Sequence, residues 1–293
     1  MTNSELIKEV DARSASALAS GALVPVQAEQ DTVEQDGMRF VVRWVSSLAA
    51  KDASAGVAVP GGPRDPNFNP FLHPEPALTV GALGDTHVAI LNKFPLSQQH
   101  LVLATKVFED QLMPINQADF MALARVMTEA GGMGLYNGGK VAGASQRHKH
   151  LQWIPGTPDN ASLAIYLPGL PQDLPLQGLA THPKLPMRHC FVRVDCTTGM
   201  PVEQAAEQLT QAWAHGTQTL GLQAGADGLV PPYNMLISHG WMLLVPRSQE
   251  RYESISIASI CFGGTIYTRH REQLDVVRKA GPLQALAAVG FPA

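Results

Sequence analysis

His148, His150 and Gln152 recur at every second position in the run Gly-Ala-Ser-Gln-Arg-His-Lys-His-Leu-Gln-Trp-Ile-Pro, residues 143–155. Every second side chain of a β-strand points to the same face. Two imidazoles and an amide therefore stand in a row, with Leu151 and Trp153 on the opposite face and Pro155 closing the run. An imidazole near neutral pH serves as nucleophile or proton donor. It is also a zinc ligand, so a bare His-x-His has two readings. No Cys, Asp or Glu lies inside the run to complete a tetrahedral set, and the longer pattern is far more specific than the histidine pair. Just upstream, Tyr136-Asn137-Gly138-Gly139-Lys140 and then Gly143 combine turn residues with a cation. Where no Cβ intervenes, backbone N–H groups can approach an anion closely. A glycine-rich loop feeding an imidazole-lined strand suits a phosphate group and a nucleophile to attack it.

Elements on either side must hold that face. Residues 2–20 are predicted helical from Leu6, Val10, Ala17 and Leu18. Residues 38–45 are rich in β-branched and aromatic types and predict a strand. Residues 54–76 carry many prolines and glycines and form a loop. That loop includes Asn67-Phe68-Asn69-Pro70-Phe71, and is either a surface crossing or a cover over a ligand. Strands follow over 78–83, 87–92 and 100–105, with Gly84-Asp85 suited to a hairpin. A helix over 117–134 sets Phe120, Leu123, Ala124 and Met127 on one stripe and stops at Gly131-Gly132. After the histidine strand, the proline-rich 155–186 segment reads as a connector. A strand over 189–194, a helix over 202–220, strands over 231–238 and 241–247 and a C-terminal helix over 271–288 complete the chain. Strands, helix, then strands predict an α+β fold: an antiparallel sheet with flanking helices, elaborated by a second strand-helix-strand half. The halves are residues 1–186, carrying the catalytic and nucleotide site, and 187–293, completing the sheet; they form two domains or one continuous one. Their order is alike, but at residue level they do not make a repeat.

Composition sets outer bounds. With 293 residues and 45% hydrophobic content, the chain can build one large core or two small ones. Charged residues make up 16%, below the roughly 25% usual for soluble domains. A net charge of −4 argues against coating long nucleic acids, while a small anion needs only a local positive pocket. Cys190, Cys196 and Cys261 form no Cys-x-x-Cys and read as reduced thiols of a cytoplasmic protein. Glu5, Glu9 and Asp11 interrupt any signal-peptide core, and no stretch of ~18 apolar residues could span a membrane.

The chain resembles the histidine-triad superfamily, and within it the diadenosine tetraphosphate phosphorylases, also called ATP adenylyltransferases. The matching pieces are Gly143-Ala144-Ser145-Gln146, His148-Lys149-His150-Leu151-Gln152, Asn69-Pro70-Phe71-Leu72, Asn92-Lys93-Phe94-Pro95, and Tyr233-Asn234 with Trp241 to Arg247. The resemblance implies AMP transfer: diadenosine tetraphosphate is cleaved by inorganic phosphate to ATP and ADP, reversibly. It implies His150 as the nucleophile, with Gln152 in place of the third histidine of the hydrolase branch. It further implies small-molecule nucleotides as partners, no required cofactor, and a divalent cation (Mg or Mn) carried with the nucleotide. No nucleic acid or membrane partner is expected, and a monomer is favoured.

The residues support a matching chemistry. Neutral imidazole avoids part of the charge repulsion that protects a phosphoanhydride, so His150 attacks the α-phosphorus and AMP is held covalently before phosphate takes it. A phosphate acceptor needs little general-base help, which suits an amide at position 152. His148 either orients His150 through its backbone carbonyl or fills the core. Ser145, Gln146 and Asn137, with the backbone of Gly143 and Ala144, are candidate phosphate donors. Lys51 is either a loop cation or a phosphate ligand. His100 opens a strand beside the motif; Asn69, Pro70 and Asn92 are candidates for the nucleoside. Asn234, Met235 and Trp241 are candidates for walling a second nucleotide, with core as the alternative for Met235 and Trp241. Lys149 points away from the histidines. Competing functions are a hydrolase or transferase of the same superfamily acting on adenylyl sulfate or a nucleotide sugar, a non-catalytic nucleotide-binding protein, and a metal-binding protein built on His148 and His150.

Overall fold

The computed structural model describes residues 5–25, 28–44, 69–158 and 160–293. Helix α1 (Leu6–Ala19) is followed by β1 (Glu29–Gln35), β2 (Met38–Trp44), β3 (Thr79–Leu83), β4 (His87–Leu91) and β5 (Leu101–Thr105). Helix α2 (Gln117–Ala130) leads into β6 (Met133–Asn137) and β7 (His150–Ile154). Next come β8 (Leu179–Ala180), β9 (Cys190–Arg193), helix α3 (Val202–Thr219), β10 (Tyr233–Ser238) and β11 (Trp241–Pro246). The short β12 (Arg251–Tyr252), β13 (Ile255–Ser256), α4 (Ser259–Phe262) and β14 (Thr265–Thr268) precede helices α5 (Glu272–Ala280) and α6 (Pro282–Ala287).

Nine strands form one sheet in the order β3-β4-β5-β7-β6-β10-β11-β9-β8. Every neighbouring pair is antiparallel, so the α+β expectation holds. One pairing scheme occurs twice: β5-α2-β6-β7 places β7 between β5 and β6, and β9-α3-β10-β11 places β11 between β9 and β10. The two units join where β6 pairs with β10, and α2 packs on α3. The halves thus repeat in topology without repeating in sequence. A smaller sheet, β1-β2-β14, sets β14 parallel to β2 and stitches the C-terminal segment to the N-terminal one.

The two faces of the large sheet bury different sets. Leu151, Trp153, Tyr136 and Met235 pack with Phe120, Leu123 and Leu209 under the long helices. On the other face Leu135, Ile154, Leu236 and Leu243 pack with Phe40, Phe262, Leu274 and Leu286. Each fully buried side chain of this size contributes roughly 1.5–3 kcal/mol. Helix α2 starts where Asn116 and Asp119 cap each other's backbone. Asp119 is also ion-paired with Lys149 (2.6 Å) and hydrogen-bonded to His87 Nε2 (3.0 Å), so one carboxylate ties α2 to β4 and to the residue before His150. Lys149 lies on the helix side, as its parity predicts.

Two expectations need correction. The histidine strand begins at His150; His148 makes an isolated bridge with Asp110. The C-terminal helix is broken in two at Gly281, whose φ of +87° takes it out of the helical region, and Pro282 then starts α6. β1 was not foreseen, because Glu-Gln-Asp-Thr-Val-Glu-Gln has no apolar alternation and is held by its pairing with β2. Lys51 and residues 54–68 of the proline-rich loop lie outside the described residues. Among the described residues, no helix is long and apolar enough to cross a membrane. The three cysteines are unpaired.

Candidate active site

Strand β7 sits between β5 and β6, with Ala104 opposite His150 and Val102 opposite Gln152. The alternation places His150 and Gln152 away from the long helices. His150 donates from Nδ1–H to the carbonyl of His148 (2.8 Å). That bond fixes the tautomer and leaves the Nε2 lone pair available; among the described residues nothing bonds to Nε2. Burial lowers the His150 pKa to about 4, against the opposing pull of the His148 carbonyl, so the ring is neutral at pH 7. The ring is only 4% exposed and Phe71 covers it, with centroids 4.9 Å apart.

His148 orients His150 through its backbone, as expected, and its own ring is fully committed. Nε2–H donates to the Thr105 carbonyl (2.7 Å), and Nδ1 accepts from Asn69 Nδ2 (2.8 Å). With both nitrogens used, His148 cannot share a metal with His150. Among the described residues, no three His, Cys, Asp or Glu side chains converge as a metal site. Asn69 therefore acts on the protein: it latches its loop to His148, while its Oδ1 accepts from Phe71 N–H (3.0 Å). Pro70 is half-buried in the turn between them.

Gln152 is oriented in the same way. His100 donates from Nε2–H to Gln152 Oε1 (2.8 Å), while its Nδ1 faces Leu96 N–H and Asn92 Nδ2, each at 3.4 Å. Burial lowers the His100 pKa to about 4, so it stays neutral. With its oxygen engaged, Gln152 has its amide hydrogens left to donate. Asn92 spends its own oxygen on Phe94 N–H (3.2 Å). His100 thus holds the site's amide in place, with Asn92 behind it.

The loop between β6 and β7 partly matches its expected role. The N–H groups of Gly143 and Ala144 are consumed by Lys140 O (2.9 Å) and Gly139 O (3.1 Å), so these two are not phosphate donors. Their glycine neighbours answer to packing: a Cβ on Gly138 would lie 2.8 Å from the Tyr233 carbonyl, and one on Gly143 would lie 3.0 Å from Ala258 Cα. Ser145 is exposed and Gln146 half-buried, and neither side chain nor N–H has a partner among the described residues. Asn137 is buried with Oδ1 accepting from Asn234 Nδ2 (2.9 Å) and Ser259 N–H (2.7 Å), which leaves only its Nδ2 to donate outward.

The predicted wall for a second nucleotide is absent from the site. Asn234 is 0% exposed; it donates to Asn137 and to Ala142 O (2.8 Å) and accepts from Arg247. Met235 pairs with Tyr136 and points into the core beneath the long helices, because its parity is opposite to that of Asn234. Trp241 starts β11 at the far end of the sheet, buried against Phe191 with Arg193 stacked on it (5.3 Å). A cavity of about 1030 Å³ opens at that far end, lined by Gly132, Ser162, Arg193 and His239, and its lining includes none of the histidine-strand residues.

Gln111 was not foreseen. Its buried side chain accepts from His150 N–H (2.8 Å) and donates to the carbonyls of His150 (3.0 Å) and Asn137 (2.9 Å). It fills the gap where the β6–β7 ladder opens into the loop, doing for the His150 backbone what a neighbouring strand would do. Thr105 was not foreseen either, and no local motif signals these two roles, since the partners are distant in sequence; Phe71 covers His150 from the loop that the sequence offers as a cover over a ligand.

Comparison with known proteins shows the family and the fold. The chain is 26% identical to a Saccharomyces cerevisiae protein named diadenosine 5',5'''-P1,P4-tetraphosphate phosphorylase 2, covering 100% of this chain and 96% of that one. It is 24% identical to Protein APA1 of the same yeast, over 94% and 91% of the two chains. The crystal structure of yeast Ap4A phosphorylase Apa2 in complex with Ap4A superposes with a TM-score of 0.80 at 22% identity, covering 100% and 99%, which shows the shared fold. Residues 1–168 match the Ap4A phosphorylase N-terminal domain, and residues 183–292 match the ATP adenylyltransferase C-terminal domain. With the histidine strand β7 in the first matched segment and the buttress of its loop in the second, the chain belongs to the Ap4A phosphorylase, or ATP adenylyltransferase, family.

Proposed function

We propose that this protein is a nucleotidyltransferase that cleaves diadenosine tetraphosphate with inorganic phosphate to give ATP and ADP. The observation that carries the reading is the Nδ1–H bond from His150 to the His148 carbonyl, which leaves a neutral ring with one free lone pair. Nε2 of His150 attacks the α-phosphorus, the bond to the bridging oxygen breaks, and ATP leaves. The ring gains positive charge as the P–N bond forms, and the His148 carbonyl is placed to stabilise it. Phosphate then attacks the same phosphorus, the P–N bond breaks, and ADP leaves with His150 neutral again.

Gln152 supports the choice of acceptor. Its amide hydrogens can hold phosphate oxygens, but an amide cannot take a proton from water. Phosphate arrives already ionised and needs no such base. Gln146, Ser145 and the outward Asn137 Nδ2 supply further donors at the mouth of the loop, an electrostatic clamp on charge that develops during transfer. Phe71 keeps water off the ring, and its loop yields when the nucleotide arrives. A divalent cation, Mg or Mn, travels with the nucleotide's phosphates, and no resident cofactor takes part.

Phosphate dependence tests the proposal. With diadenosine tetraphosphate and phosphate, ATP and ADP should appear in equal amounts. Release of AMP at full rate with phosphate omitted would instead identify a hydrolase of the same superfamily.

A further inference from the structure

The dinucleotide carries a second base, and the residues expected to receive it are buried elsewhere. The exposed large apolar side chains of the described residues include Leu72, Val107, Phe108 and Met113, all on the two segments that flank His148. Phe108 meets the His148 ring edge-on at 5.5 Å, and Phe71 meets the same ring at 5.8 Å. Phe108 is 48% exposed, Val107 75% and Leu72 40%. Open aromatic and aliphatic surface of this kind is otherwise expensive to leave in water, and beside a site it marks a binding surface. The acidic residues on this segment do not face an anionic ligand unpaired: Glu109 pairs with Lys149 (3.2 Å) and Asp110 with Arg147 (2.8 Å).

We propose that Phe108, Val107 and Leu72 form the subsite for the nucleobase of the departing nucleotide, the half released as ATP. This rests on the phosphorolysis reading. The transferred AMP has to be retained between two half-reactions, which calls for an enclosed pocket. The departing half has to escape, which suits an open rim. Stacking and apolar contact tolerate any base because every base has a π-face. The subsite therefore accepts guanine or a pyrimidine in the departing position with little change.

Two reactions separate the subsite from the chemistry. Phosphorolysis of diadenosine tetraphosphate uses both bases. Exchange of labelled inorganic phosphate into the β-position of ADP forms and breaks only the AMP–histidine bond and involves one base. Phe108→Ser and Val107→Ser should raise KM for diadenosine tetraphosphate about five- to thirtyfold for the first and less for the second, from the loss of stacking. In the same preparations KM for ADP in the exchange should move less than twofold, which also shows that the variants fold. An equal rise in both KM values would assign the surface to the transferred AMP and overturn the proposal, as would no rise in either. Absence of exchange in the wild-type protein would instead overturn the underlying phosphorolysis reading.

Discussion

At the scale of single residues, the site is a set of hydrogen bonds that decide which atoms remain free. His150 gives up Nδ1 to keep Nε2, and Gln152 gives up its oxygen to keep its amide hydrogens. Replacing His100 with Ala should release Gln152 and lower kcat roughly tenfold to a hundredfold, the scale for losing an oriented donor, while nucleotide affinity measured by titration changes little. Gln111→Ala takes the partner from the His150 N–H and from the His150 carbonyl, while the Asn137 carbonyl keeps Gly139 N–H (2.9 Å); at roughly 1–3 kcal/mol per unsatisfied buried group, denaturant unfolding should show a loss of at least about 2 kcal/mol alongside a fall in kcat. The histidine row was legible because period-two spacing shows which side chains share a face. Gln111 was not legible, since its contacts lie across long sequence separations and depend on where the β6–β7 ladder opens. Asn234 failed as a predicted substrate contact for the same reason: its partners Arg247 and Ala142 only become neighbours in the folded sheet.

At the scale of elements, strands β3, β4, β5 and β7 and the long helices could be read from alternation and glycine stops, whereas β6, whose residues read as a helix end and a turn, could not, and β10 and β11 could not be assigned a face. All six residues of each are buried, and a strand buried on both faces carries no polar side to set its parity. Met235 therefore kept two readings, wall or core, and the structure gives the core one. The ion pair between Asp119 and Lys149 locks α2 to β7 and has no signature in either segment. Lys149→Met should strand a buried carboxylate and cost about 3–5 kcal/mol, read as a shift in the denaturant midpoint. Adding Asp119→Leu should recover part of that loss, because removing both charges is cheaper than removing one; a double variant less stable than the single would contradict the assignment.

At the scale of the whole molecule, the second half braces the histidine-strand loop of the first. Arg247 is buried, its pKa lowered by burial to about 10, and donates to Asn234 and to the Ile257 carbonyl (2.7 Å). Through Asn234 it braces Asn137 and the 138–147 loop. The buried neutral histidines also set the acid response of the fold. His150 and His100 have folded pKa values of about 4 against 6.5. Between those values the unfolded chain binds more protons, so stability is full above pH 6.5 and is lost as pH falls toward 4. The loss is on the order of 3 kcal/mol for each ring. Unfolding measured from pH 7.5 to 4 should show it, and His100→Asn should flatten the slope. The account rests on AMP being carried by His150. Brief mixing with diadenosine tetraphosphate in the absence of phosphate, followed by intact-mass measurement and peptide mapping, should find one AMP per chain on His150, discharged as ADP when phosphate is added. Turnover with no AMP on the chain, or AMP mapped to any other residue, would contradict it.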